Sequence, residues 1–268
     1  MENSVIKILP LPKEPGEIEA PVNVYYPATT SKNLLDKNIL ATIQYRPESG
    51  ADDYCAEQAL EVNLPCLSST PCQEIWYAPH SVSQGCRGNI SYRHSQDVLF
   101  GAITLNESDF SSLEDCTFHC YREILNLIHE LGYSSLLRLW NYFSDINSEA
   151  EEIERYKSFC VGRHKAFSII PDFERYLTAA SAIGAHSKST FLVYFIAAKN
   201  PGVQIENPRQ ISAFHYPDQY GPKSPSFTRA MLKNWRNVSQ LFISLVIKRY
   251  TKVMYCSNWT KRLRTCKV

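Results

Sequence analysis

The sequence is short of net charge: 28 lysines and arginines against 27 acids leave +1 at pH 7. Without a basic or acidic field over the whole chain, neither nucleic acid nor an anionic membrane surface is an expected partner. Long apolar runs are also missing. The longest, TFLVYFIAA from Thr190 and LFISLVI from Leu241, fall well short of the roughly 20 residues that cross a bilayer. The start, MENSVIKILPLPKEPGEIEAP, puts an acid and prolines where a secretory signal needs about seven uninterrupted apolar residues. A cytoplasmic location is the expectation. There is no CxxC pair: Cys55, Cys66, Cys72, Cys86, Cys116, Cys120, Cys160, Cys256 and Cys266 are an odd number at irregular spacings, which predicts reduced thiols rather than a disulfide framework. Cys116, His119 and Cys120 sit at helical i, i+3, i+4 spacing and could present three metal ligands on one helix. Buried cysteine more often acts as a small hydrophobe, so no metal is expected.

What is present is a hydrophobic fraction of 44% over 268 residues, enough for one large core or two small ones. Residues 1 to 35 are proline-rich and polar, and 48 to 72 read as irregular surface chain. NILATIQYRP (Asn38 to Pro47) has the β-branched character of a strand. EIWYAP (Glu74 to Pro79) and NISYRHS (Asn89 to Ser95) read as a strand pair, followed by a strand at VLFGAITL (Val98 to Leu105). Ser111 and Ser112 can cap a helix whose apolar face is Leu113, Cys120, Ile124, Leu127, Ile128 and Leu131, with Gly132 ending it. SSLLRLWNYFSDI alternates as a strand. A second helix over SEAEEIERYKSFCVGRHKAF is predicted to open on acids and close on Arg163, His164 and Lys165, as the helix dipole prefers. TFLVYFIAA, FTRAMLKNW and QLFIS read as further strands. The pattern predicts an α+β fold, mixed sheets backed by helices on one face.

This order, with LRLWNYFSDIN followed by RYKSFCVGR, resembles the small α+β module of the reactive-intermediate deaminase family, whose fold is chorismate mutase-like and assembles into a trimeric ring. The resemblance implies an N-terminal extension with first strands at 1–72, a complete module at 73–186 and a linker with the start of a second module at 187–244, with a homo-oligomer as one outcome. VSQLFIS echoes QDVLFGA, but roughly 80 more residues would complete a second copy, by comparison with the first. Residues 245–268 instead carry seven Lys or Arg and no acid, which reads as an aberrant basic tail, with a basic solvated extension or a functional basic arm as the alternatives.

One segment has almost no helical or strand periodicity: NPRQISAFHYPDQYGPKSPSFTRAM, Asn207 to Met231. Prolines 208, 217, 222 and 225 fix loop backbone and hold side chains in place at little further entropic cost. Arg209 and Arg229 offer forked donors suited to carboxylates, and Tyr216 and Tyr220 offer hydroxyls on rigid rings. Together they describe a pocket for an anionic, ring-sized ligand. The plainer reading is a stiffened connection with its tyrosines on the sheet and its arginines in water, and the residues alone leave both open.

CVGRHKAF (Cys160 to Phe167), AASAIG (Ala179 to Gly184) and this irregular segment with the LFIS after it resemble the chorismatase family, which includes the 3-hydroxybenzoate synthases. The similarity spans about Ile75 to Ser244. It implies cleavage of chorismate to pyruvate and either a 3-hydroxybenzoate or a dihydroxycyclohexadiene carboxylate, with no metal or organic cofactor. By position, Arg163, Tyr216 and Arg229 would hold the two carboxylates, with Arg209 and Tyr220 as further substrate-binding candidates. The family protonates the enol ether with a glutamate late in its second module; beyond Glu206 the only acid here is Asp218. A general acid typically supplies about 10²- to 10⁴-fold, so impaired turnover is expected. The alternative is a non-catalytic remnant or self-associating interaction module.

Overall fold

Apolar runs at period two settle into strands and two apolar stripes at helical period settle into helices. A computed structural model describes residues 20–26, 38–45, 59–64, 72–150, 153–185, 190–235, 238–243 and 245–247. In chain order these hold β1 (Asn23–Tyr25), β2 (Ile39–Tyr45), β3 (Ala59–Val62), β4 (Cys72–Tyr77), β5 (Ser83–Arg87), β6 (Ile90–His94), β7 (Val98–Leu105), α1 (Leu113–Glu130) and β8 (Ser135–Ser144). They continue with β9 (Glu149–Ala150), β10 (Ile153–Glu154), α2 (Arg155–Phe167), β11 (Ala179–Ala185), β12 (Phe191–Ala198), β13 (Val203–Ile205), β14 (Ala230–Trp235), β15 (Val238–Ile243) and β16 (Leu245–Ile247).

A seven-stranded mixed sheet, ordered β16-β11-β8-β12-β7-β6-β5, is the frame. β12 lies at its centre, antiparallel to β7 and β8, and all of it is buried, which is what its unbroken apolar run encodes. β8 and β11 run parallel, and the crossover that a parallel pair requires is made through α2. Both helices pack on one face, where Cys120, Ile124, Phe159 and Phe167 meet Leu139, Phe143 and Phe195. α1 begins as predicted: the Asp115 N–H donates to the Ser112 hydroxyl at 3.1 Å. It ends at Gly132, whose φ of +72° is a left-handed turn that favours glycine.

The face opposite the helices carries a four-stranded sheet, β1-β4-β2-β3, and a three-stranded one, β13-β14-β15, which bury Leu40, Ile43, Trp76, Met231 and Phe242 against it. Several expectations are corrected. β4 and β6 do not pair. β4 joins β1 and β2, while β6 lies between β5 and β7, because the Ser83–Arg87 segment supplies the nearer hairpin partner. Within the stretch expected to be irregular, β3 pairs parallel to β2, with Val62 fully buried; residues 46–58 and 65–71 lie outside the described ones. α2 does not open on acids. Glu149 and Glu154 pair across the β9–β10 hairpin, so the helix starts at Arg155, whose guanidinium bonds Glu107 at 2.6 and 2.8 Å and the Ser144 carbonyl at 3.1 Å. Leu245–Ile247, the first part of the basic tail, pairs parallel with β11 as the sheet edge. Residues 248–268 and 1–19 lie outside the described residues, among which no helix is long and apolar enough to cross a membrane.

Candidate functional site

In α2 the buried positions Tyr156, Phe159, Cys160, Arg163, Ala166 and Phe167 form one helical stripe, and the fourth of them is an arginine. Arg163 is 2% exposed, and its Nε and Nη2 have no hydrogen-bond partner. Its guanidinium carbon lies 5.2 Å from the Tyr121 ring centre and 5.7 Å from that of Phe167, a cation–π setting that offsets only part of its lost hydration. Buried charges are ordinarily paired, so two unpaired N–H donors here point to an anion supplied from outside.

Arg163 lines a small, partly open pocket between α2, β11 and the irregular loop. Phe159, Ala180, Ala182, Pro225 and Phe227 are among its walls, and Ser226 also lines it. Beneath Arg163 runs a buried relay: the Tyr121 hydroxyl donates to Asn141 Oδ1 at 2.7 Å, and Asn141 Nδ2 donates to the Ser181 carbonyl at 2.8 Å. Burial pushes the Tyr121 phenol well above its ordinary value, opposed by the nearby Arg163 charge and the Asn141 bond, so Tyr121 remains a donor. Tyr121→Phe keeps the ring under Arg163 but strands Asn141 Oδ1. It is expected to lose about 1–3 kcal/mol in denaturant unfolding with ligand affinity little changed.

The loop reaches the cavity through Pro225, Ser226 and Phe227, and the other residues that sequence reasoning singled out lie outside its lining. Arg229 is engaged: Nη2 donates to the Ile211 carbonyl at 3.0 Å, Nε lies 3.6 Å from Glu206 Oε2, and its backbone N–H donates to Glu206 Oε1 at 2.9 Å. Tyr216 is half-buried with its ring centre 5.9 Å from that of Tyr220, which is 63% exposed. Arg209 is exposed, with its backbone N–H on Asn207 Oδ1 at 3.0 Å. Of the five candidates, then, Arg163 alone lines the cavity. Ser226 and the Tyr121–Asn141 relay were not among the candidates.

Cys116 and Cys120 turn into the core while His119 is exposed. Burial, with Glu107 and Asp109 nearby, pushes the Cys116 thiol up to about 12. Among the described residues no group of three or more His, Cys, Asp or Glu could hold a metal ion. Next to Arg163, burial and the Lys223 ammonium hold His164 below its ordinary 6.5, with Glu174 opposing. A histidine whose folded value is depressed binds fewer protons folded than unfolded, so stability falls as pH drops from about 6.5 through the lower folded value. Thermal melts between pH 7.5 and 5 are expected to show that fall, and His164→Gln to flatten it.

Residues 74–197 match the family model for the N-terminal part of FkbO/Hyg5-like chorismatases. A 3-hydroxybenzoate synthase of Streptomyces hygroscopicus is 36% identical over 174 residues, 64% of this chain and 50% of that protein. A chorismatase of Streptomyces rapamycinicus is 38% identical over 200 residues, 73% of this chain and 58% of that protein. The chain thus spans about half the length of the curated relatives it matches. A crystal structure of a chorismatase superimposes with a TM-score of 0.72 at 32% identity, covering 83% of this chain and 68% of that one. With nearly a third of its residues shared over two thirds of a solved chorismatase, on the same mixed α+β frame, the chain belongs to the chorismatase family.

Proposed function

We propose that this chain binds chorismate at the Arg163 cavity and acts in its cleavage to pyruvate and a 3-hydroxybenzoate or a dihydroxycyclohexadiene carboxylate. The observation that carries the reading is the buried guanidinium of Arg163 with Nε and Nη2 unpaired at a cavity wall, which calls for one carboxylate in bidentate contact. Phe159 and Phe227 line the same pocket. Arg209, Tyr216 and Tyr220 are the loop donors left for the second carboxylate, since Arg229 is tied to Glu206 and braces the loop. We also read the two helices side by side on one face of a mixed sheet as a deaminase-like module; its helix-to-helix contact and the β8–α2–β11 crossover support that reading.

The test is incubation with chorismate, pyruvate being followed through lactate dehydrogenase and aromatic acid by chromatography. Slow release of pyruvate in step with an aromatic or diene acid, in keeping with the impaired turnover expected from the sequence, is the expected result. Thermal stabilisation by chorismate without pyruvate would leave a binding module, to be examined for self-association by sedimentation. Neither product nor stabilisation would overturn the proposal.

A further inference from the structure

We infer that Ser226 is a ligand-binding residue of the same cavity, its hydroxyl donating to the carboxylate that Arg163 holds; the inference rests on the chorismate reading above. Ser226 is 1% exposed and its Oγ has no hydrogen-bond partner. A buried hydroxyl left so is uncommon and asks for an explanation. It lines the pocket together with Arg163, whose Nε and Nη2 are also unpaired, so three free donors belong to residues of one small pocket that has no acidic side chain in its lining.

The hydroxyl is held in position by the chain around it. The Phe227 N–H donates to the Pro225 carbonyl at 3.0 Å and the Thr228 N–H to the Thr178 carbonyl at 3.1 Å, while Pro225 fixes its own φ. A serine placed by its neighbours and satisfied by none of them is preorganised for a visiting acceptor.

The donor pattern names the ligand chemistry. Nε and Nη2 form one edge of the guanidinium and match the two oxygens of a carboxylate, each of which keeps a further lone pair. Ser226 takes one of these. A phosphate or sulfate would need donors around a third oxygen, whereas most of the remaining lining, Phe159, Ala180, Ala182, Pro225 and Phe227, is apolar, with Tyr156, Cys160 and Ser181 as its other members. The donor set therefore suits a carboxylate.

The experiment is calorimetric titration of 3-hydroxybenzoate and of 3-hydroxybenzamide into the wild-type chain, R163M, S226A and S226G. Loss of a hydrogen bond to a charged group predicts that both Ser226 variants bind the acid about tenfold or more weakly, with a smaller loss for the amide, whose carbonyl is a neutral acceptor, and with the melting temperature of S226A no lower than that of wild type. Wild-type affinity for the acid in S226A and S226G, with R163M impaired, would refute the role of Ser226 and leave the cavity reading standing. An equal loss for acid and amide would assign Ser226 to packing and refute the inference. Failure of the wild-type chain to bind the acid would remove both.

Discussion

Arg163→Met is expected to raise the melting temperature of the ligand-free chain while removing its affinity for chorismate. Both effects follow from one feature, a guanidinium 2% exposed with two N–H donors unpaired. Exchanging buried ionic groups for apolar ones of similar volume is often neutral or stabilising by about 1–4 kcal/mol. A charge without a partner is the costlier case. The Tyr121 and Phe167 rings return part of that, about 0.5–2 kcal/mol. The balance corresponds to a rise of about 2–6 °C for a chain of this size. Binding moves the other way, because truncating a desolvated charge that meets a carboxylate costs about 2–5 kcal/mol, roughly 30-fold to several thousand-fold in Kd. Paired melting and calorimetric titration read both. A large drop in melting temperature would mean that Arg163 holds the fold together and that its unpaired donors are not kept for a ligand.

Gly162→Ala is expected to destabilise the chain by about 1–3 kcal/mol or more, the reverse of the usual gain of 0.5–1 kcal/mol from alanine inside a helix. A Cβ at Gly162 would overlap the Glu114 carbonyl oxygen and lie 2.9 Å from Thr117 Cβ. The first of these is backbone of α1, so it can yield only if the two helices separate. The next residue is Arg163, so the displacement also reaches the cavity wall. Gly162→Ala should therefore lower the melting temperature by several degrees and weaken ligand binding together. An alanine variant that melts higher than wild type would show that α1 and α2 are not in contact at this point.

The elements most legible in the sequence were those with one strong local signal. α1 announced its serine cap, its apolar face and its terminating glycine, and β12 its unbroken apolar run. Partnerships were much less legible. Nothing local to EIWYAP says that it pairs with a strand some thirty residues earlier rather than with NISYRHS, and nothing in the acid-rich run before α2 distinguishes a helical first turn from a β9–β10 hairpin. At the site the same limit applied. The irregular loop advertised its arginines and tyrosines, yet its contribution to the cavity is Pro225, Ser226 and Phe227, and Arg229 is taken up by an acid 23 residues upstream. One signal was available and underused. Counting α2 at helical period puts Arg163 in register with Tyr156, Phe159 and Cys160, inside the apolar stripe, where an arginine calls for a partner. The helix pattern alone gave Arg163 to the dipole, and it was the family resemblance that made it a carboxylate-binding candidate.

A crystal structure with 3-hydroxybenzoate bound tests the central claim most directly. The carboxylate should lie in the cavity with one oxygen on Nε and the other on Nη2 of Arg163, each about 2.7–2.9 Å away. Density for the ligand at Arg209, Tyr220 or Arg229, with the Arg163 cavity empty, would contradict it.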